Sequence, residues 1–109
     1  MDEIEIQLGG SVVTLRPTLG AAMGMSKRHG GLMNVLAGLE RYDLAMAADV
    51  VSAGTGAGAD QRQAIEEKVF AAGLAGLVSP LVRFVILLSN GGRSPEEPEE
   101  AKGVERPFA

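Results

Sequence analysis

The chain begins with a strict alternation of apolar and polar residues. Ile4, Ile6 and Leu8 are separated by single acidic or amide side chains, which is the pattern of a β-strand with one buried face. Gly9-Gly10 follows, and then a second run of residues typical of strands, 11–16. Because glycine tolerates the positive φ angles of a two-residue turn, this segment predicts a β-hairpin.

A two-residue turn also sets the register of the predicted hairpin. It pairs Leu8 with Ser11, Ile6 with Val13 and Ile4 with Leu15. Directly opposed residues share a face of the sheet, so Ile4, Ile6, Val13 and Leu15 form one apolar face. On the other face Glu3 lies opposite Arg16. An isolated hairpin is barely stable in water, and we therefore expect the apolar face to pack on helices.

Three short helices are predicted after the hairpin. Thr18 is a suitable N-cap for a helix that runs to about His29 and stops at Gly30-Gly31. A second helix, with leucines at 32, 36 and 39, ends near Arg41. Asp43 can cap a third helix, in which apolar residues at 44, 47, 48 and 51 share one face. The stretch Gly54–Gly58 predicts a flexible loop after it.

The last helical region divides at Gly73 into helices over about 60–72 and 74–89. Pro80 lies either near the true start of the second helix or at a kink. One buried face of the second helix is accounted for by Leu77, Leu81, Val85 and Leu88. The helix has further apolar residues that this face does not need: Phe84, Leu87 and Val78. These three residues are the candidate protein-binding surface, with Phe84 as anchor. The alternative is that the hairpin and the first helix cover them within one chain.

These elements predict an α+β fold, mainly α, with an N-terminal β-hairpin followed by four to five short helices. Residues 1–92 form a single domain. Residues 93–109 contain three prolines and a glutamate-rich stretch, 96–100. Their apolar content is too low for folding alone, so we expect a flexible acidic tail.

Composition narrows the classes of function. The chain of 109 residues has no cysteine and one histidine, which excludes disulfides, thiolate sites and histidine-pair metal sites. These exclusions leave few groups for general-base chemistry at neutral pH and indicate no cofactor-binding or metal-binding residue. Ten basic against 14 acidic residues give a net charge of −4, which argues against nucleic-acid binding. The acidic N-terminus and the short apolar run 74–88 argue against export and membrane insertion, so we expect a cytoplasmic protein.

Several features have both a structural and a functional interpretation. The glycines of 54–58 indicate a linker rather than a phosphate loop, because no Lys-Ser/Thr pair follows them. His29 complements the dipole at a helix C-terminus, or it contacts a small anion. Glu66 and Glu67 point in different directions on a helix and are poorly placed to serve one substrate jointly. The methionines at 23, 25, 33 and 46 are core filler or an adaptable surface.

The hairpin Ile4–Arg16, the junction Leu15-Arg16-Pro17-Thr18-Leu19 and the glycine-broken helices together resemble a known family. They are similar to the tail assembly chaperones of long-tailed phages, most closely the small members from gene transfer agent clusters. The resemblance covers 4–92, and within it 64–92 is similar to the closing helix-Gly-helix segment of the family.

This resemblance implies a non-enzymatic role in protein–protein interaction, with no catalytic residues. Chaperones of this family coat the aggregation-prone tape measure protein until tail tube subunits polymerise around it. The implied partners are the tape measure protein, other tail proteins or a second copy of the chain, with no nucleic acid and no membrane. A structural tail tube or minor tail component is the alternative function. A small helical DNA-binding regulator is a third hypothesis, which the acidic charge disfavours.

Overall fold

The structure, a computed structural model, describes residues 2–94, and within them it contains one two-stranded sheet and five α-helices. The strands are β1 (Ile4–Leu8) and β2 (Ser11–Leu15); the helices are α1 (Leu19–His29), α2 (Leu32–Glu40), α3 (Leu44–Thr55), α4 (Arg62–Ala72) and α5 (Leu74–Ser89). A short 3-10 turn, Ala59–Gln61, precedes α4. The predicted class, α+β and mainly α, is confirmed.

The hairpin has the predicted antiparallel register. Ile4 pairs with Leu15, Ile6 with Val13 and Leu8 with Ser11. Gly9 and Gly10 both have positive φ angles, 57° and 84°, as the tight turn requires. Ile6, Leu8 and Leu15 are buried, and Ile4 and Val13 are half-buried against the same core. On the opposite face Glu3 Oε2 lies 3.2 Å from Arg16 Nε. The apolar face of the hairpin therefore packs on the helices, as predicted.

Helix α5 lies at the centre of the core. It contacts β1 and all four other helices, and Leu81, Phe84 and Val85 are fully buried. The ring of Phe84 lies against the α3 backbone at Gly54, where β2 also contributes Leu15. Because α5 has neighbours on several sides, its wide apolar surface is buried within one small chain.

The burial of α5 changes the interpretation of the candidate protein-binding surface. Phe84 is fully buried, Leu87 is 5% exposed and Val78 is half-buried. In the folded chain Phe84 and Leu87 are core residues and are not accessible as anchors for a partner. The alternative, that the chain covers this face itself, accounts for their positions.

The helix boundaries follow local signals that the sequence contains. Thr18 Oγ1 accepts a hydrogen bond from the Ala21 amide at 3.1 Å, and Asp43 Oδ1 accepts one from Met46 at 3.1 Å. These two N-caps are as predicted. Helix α1 ends at Gly30, whose φ of 75° is the left-handed conformation usual at this position.

The clearest difference from the predicted boundaries is at the end of α3. This helix continues through Gly54 to Thr55, so the predicted loop 54–58 begins two residues later than expected. Helix α5 has the predicted bounds, Leu74–Ser89, and Pro80 lies inside it rather than at its start. Proline removes the amide that would bond to the Gly76 carbonyl. Gly76 is exposed, and water can reach that carbonyl instead.

The end of α5 returns to the start of the hairpin. The Asp2 amide donates to the Gly92 carbonyl at 2.9 Å, and the Ser94 amide donates to Asp2 Oδ2 at 3.0 Å. Of the predicted tail, 93–109, the structure describes Arg93 and Ser94; residues 95–109 lie outside the described residues.

Between residues 2 and 94 no single helix is long and apolar enough to cross a membrane. One pair of helices, Ala59–Ala72 and Leu74–Ser89, reaches the required length and hydropathy together, but the two helices are bent by 119° relative to each other.

Candidate binding cleft

A cleft of about 540 Å³ lies between α1, α3 and the loop that leads into α4. Most of its lining is very small: Gly20 and Gly24 on α1, Ala53 and Gly56 around the end of α3, and Gly58 in the loop. Glycine and alanine leave the backbone accessible, and a volume of this size accommodates a short peptide segment or a small ligand. The cleft is therefore the candidate functional site.

A buried carboxylate forms one wall of the cleft. Asp49, near the middle of α3, is 8% exposed. Its Oδ2 atom lies 2.5 Å from His29 Nε2 and 3.2 Å from Arg28 Nε, and its Oδ1 atom lies 3.0 Å from Arg62 Nη1. Three cationic or potentially cationic side chains thus surround one carboxylate, as burial of a charge requires.

The surroundings of Asp49 act on its pKa in opposite directions. Burial raises the pKa, because it disfavours the charged form. Hydrogen bonds from His29 and Arg28, together with the positive charge of Arg28, lower it by more. The pKa of Asp49 therefore lies below its usual value, and the side chain is a carboxylate at neutral pH.

The cluster joins three helices. Arg28 and His29 come from the last turn of α1, Asp49 from α3, and Arg62 is the first residue of α4. Arg62 also donates to Glu66 Oε2 at 3.0 Å and to the Ala45 carbonyl at 3.2 Å. All the nitrogens of Arg62 are thereby used inside the protein, and this side chain fixes the start of α4 against α3.

Arg28 is less fully engaged. Its Nε bonds to Asp49, and its Nη2 makes a 3.5 Å contact with Met25 Sδ. Within the described part of the chain Nη1 has no hydrogen-bond partner, and it would lie 3.4 Å from a Cβ atom on Gly24, at the cleft wall. The side chain is 51% exposed. Arg28 therefore offers free N–H donors and a positive charge to a ligand in the cleft.

Ser52 is a second unsatisfied group at the cleft. Its Oγ is the one buried side-chain nitrogen or oxygen atom of residues 2–94 without a hydrogen-bond partner, and Ser52 belongs to the cleft lining. Buried hydroxyls usually find a partner. Because this oxygen is buried, a ligand in the cleft does not reach it, and Arg28 Nη1 remains the accessible donor of this wall.

The structure places the other predicted residues as follows. His29 ends α1, as the dipole interpretation requires, and the anion it contacts is the protein's own Asp49. Glu66 pairs with Arg62 and not with Glu67. Of the four methionines, Met25 and Met46 are buried, whereas Met23 and Met33 are exposed. The glutamates of 96–100 lie outside the described residues.

Sequence reasoning did not identify Asp49 or Arg62. The available signal was that Asp49 is the single charged residue of α3, surrounded in sequence by alanine and valine. A charge on an apolar helix must find a partner, but the partners lie 13 and 20–21 residues away. Among the described residues, no group of three or more histidine, cysteine, aspartate or glutamate side chains could hold a metal ion.

Comparison of the chain with protein-family models, with curated proteins and with solved structures finds no match.

Proposed function

We propose that this protein is a tail assembly chaperone that binds and shields the tape measure protein during assembly of a phage-like, gene transfer agent tail. The resemblance at the Leu15–Leu19 junction and the hairpin before it is the basis of this proposal. The role would be exercised in the cytoplasm, where such tails are assembled.

The observation that carries the proposal is an exposed apolar edge beside the cleft. Leu19 and Met23 on α1 are 78% and 47% exposed, and they lie one helical turn apart on the same side of the helix. Each directly precedes a glycine of the cleft lining, Gly20 or Gly24. An apolar edge next to a groove of small residues suits an apolar helical or extended segment of a client.

The direct test is binding of the tape measure protein by the intact chain and by surface variants. We expect the double variant Leu19→Ser/Met23→Ser to bind roughly tenfold more weakly, equivalent to about 1.4 kcal/mol. Met33→Ser is the matched control, since Met33 is 77% exposed on α2 and is not part of this edge. Circular dichroism should show the same helix content in all variants. Equal binding by the double variant and the wild type would contradict the proposal.

The alternative, a structural tail tube or minor tail component, makes a different prediction. A chaperone leaves before the tail is complete, whereas a tube component stays in the particle. Mass spectrometry of purified particles distinguishes them. Stoichiometric recovery of the chain from finished particles would replace the chaperone proposal with the structural one.

A further inference from the structure

We propose that residues 58–72, which comprise α4 and the loop before it, are a hinged gate that opens the cleft between α1 and α3. The gate detaches from α3 as one unit about Gly56 and Gly73, and the contact of Arg62 with Asp49 holds it closed. This inference does not depend on the identity of any client. It rests on how little of α4 is buried, on how the gate is bonded to the rest of the chain, and on what lines the cleft.

Helix α4 buries fewer residues than any other helix between residues 2 and 94. Among its eleven residues Val69 alone is buried, whereas α3 buries seven of its twelve. Ile65 is half-buried against the core, and Phe70, the largest apolar side chain of α4, is 73% exposed. The free energy gained on docking a helix increases with the apolar area that it buries. We therefore expect α4 to open at a lower free energy than the rest of the fold.

One side chain makes the hydrogen bonds between the gate and the rest of the described chain. Arg62 donates to Asp49 Oδ1 at 3.0 Å and to the Ala45 carbonyl at 3.2 Å, both on α3. The backbone bonds of the gate are local, as in the bond from the Gln61 amide to the Gly58 carbonyl. Detachment of the gate from α3 therefore breaks the bonds of one arginine and no backbone ladder.

Asp49 keeps two partners when the gate detaches. Arg28 and His29, both on α1, bond to its Oδ2 atom, and Arg62 uses only Oδ1. A buried charge that loses all its partners is strongly unfavourable, but Asp49 stays paired within the body. Arg62 is already 34% exposed, and its second carboxylate partner, Glu66, belongs to the gate itself. Opening therefore leaves neither charge both buried and unpaired.

Glycines with positive φ angles flank the gate. The φ angle is 73° at Gly56 and 92° at Gly73, and a Cβ atom on either would meet nothing within 4 Å. Glycine adopts positive and negative φ angles about equally readily, and hinges consist of a few residues at the ends of elements. The chain can therefore change direction at both points while α3 and α5 stay in place.

The gate forms part of the cleft wall. Gly58, Ala59 and Arg62 belong to the cleft lining, together with Gly20 and Gly24 of α1. When the gate detaches, this wall moves away, and the cleft of about 540 Å³ becomes an open surface on α1 and α3. The gate therefore determines how large a ligand the cleft admits.

Hydrogen exchange of the full chain measures the opening. A detached helix of eleven residues is marginal in water, so the α4 amides exchange whenever the gate opens. We expect these amides to share one opening equilibrium and to exchange roughly tenfold or more faster than the α5 amides. Rates that instead decrease gradually from the ends of α4 to its centre would show fraying, and the proposal would be wrong.

Arg62→Gln tests the contact that holds the gate closed. It should increase exchange of the α4 amides roughly tenfold and leave the α5 amides unchanged. Lys68→Gln is the matched control, because Lys68 is an exposed cation of the same helix, and it should change neither. If Arg62→Gln increases exchange equally in α4 and α5, Arg62 stabilises the whole fold and there is no gate.

A single thiol reports on the cleft, since the sequence contains no cysteine. Ser52 lines the cleft and its Oγ atom is buried, so the thiol of Ser52→Cys should react with iodoacetamide when the gate is open. Arg62→Gln should increase this rate by the same factor as the α4 exchange. Val35→Cys is the control, because Val35 is fully buried on α2, which does not line the cleft, and its rate should not change.

The two thiols separate opening of the cleft from other motions. An unchanged Ser52→Cys rate in the Arg62→Gln background would show that α4 moves without opening the cleft. An equal increase for Ser52→Cys and Val35→Cys would show global unfolding. Either result overturns the proposal.

Discussion

Different interactions hold the two sides of α3 in place. On one side Gly54 lets Leu15 and Phe84 approach the helix backbone, and the contact is apolar and closely packed. On the other side Asp49 is held by Arg28, His29 and Arg62. The apolar side depends on shape, and small changes in volume disturb it. The charged side depends on the balance of charge and hydrogen bonds at one carboxylate.

The two sides of α3 also differ in exposure: the apolar side belongs to the hydrophobic core, and the charged side belongs to the candidate binding cleft. The apolar side is closed, since Phe84, Leu15 and the neighbouring valines have no exposed surface. The charged side borders the cleft, and its side chains are partly exposed, with Arg28 at 51% and Arg62 at 34%. Substitutions on the apolar side should therefore cost more stability, whereas those on the charged side should also change what the cleft binds.

The largest expected effect is on the apolar side. Phe84→Ala should lower the free energy of unfolding by about 3–5 kcal/mol, because it leaves a cavity in a closed core. Phe70→Ala is the matched control: Phe70 is 73% exposed on α4, and its removal should change stability by less than about 0.5 kcal/mol. Urea unfolding of both variants measures the difference. Similar costs for the two would mean that Phe84 is not the centre of the core.

The next largest effect is on the charged side. Asp49→Asn keeps the shape of the side chain but removes the charge that three neighbours share. We expect a loss of about 2 kcal/mol, the range for hydrogen bonds to charged groups. Glu66→Gln removes an exposed partner of Arg62 and should cost about 0.3–0.5 kcal/mol. If denaturant unfolding shows equal losses, the cluster is no more than a set of surface ion pairs.

Two glycines in helices give a smaller effect with opposite signs. A Cβ atom on Gly54 would lie 2.9 Å from Leu15 Cβ and 3.1 Å from Phe84 Cζ, whereas one on Gly76 meets nothing within 4 Å. Overpacking costs about 1–3 kcal/mol, partly offset by the better helix propensity of alanine. We expect Gly54→Ala to lower the melting temperature. Gly76→Ala should raise it, because its free energy of unfolding increases by up to about 1 kcal/mol. A higher melting temperature for both would show that the α3 contact is loose.

Much of the apolar side could be predicted from the sequence. The alternation of Ile4 and Ile6 around polar residues, the Gly9-Gly10 turn and the caps at Thr18 and Asp43 are local signals, and the structure confirms each of them. Each involves residues close together in the chain, where periodicity and turn chemistry determine the outcome. The burial of Phe84 was not decided in this way, because it depends on which distant elements cover α5.

The candidate site could not be predicted for the same reason. Arg28 and His29 were recognised as the basic end of a helix, but their partner Asp49 is 20–21 residues further along the chain. Arg62 is recruited only because the 3-10 turn places the start of α4 beside α3. The cleft itself is made of glycines and alanines, whose spacing indicates flexible loops and weak helices until the packing is known.

The smallest expected effect is the pH dependence of the charged side. The pKa of Asp49 is lower in the folded chain than its usual value, so the unfolded state takes up a proton first as the pH falls. Its contribution to stability is therefore complete above the unfolded pKa of about 3.9 and is lost below it, as the pH passes the folded pKa. We expect the stability difference between wild type and Asp49→Asn to narrow as the pH falls below about 4. Urea unfolding of the two proteins at each pH measures this, and a difference that stays constant down to pH 3 would mean that the charge on Asp49 does not stabilise the cluster.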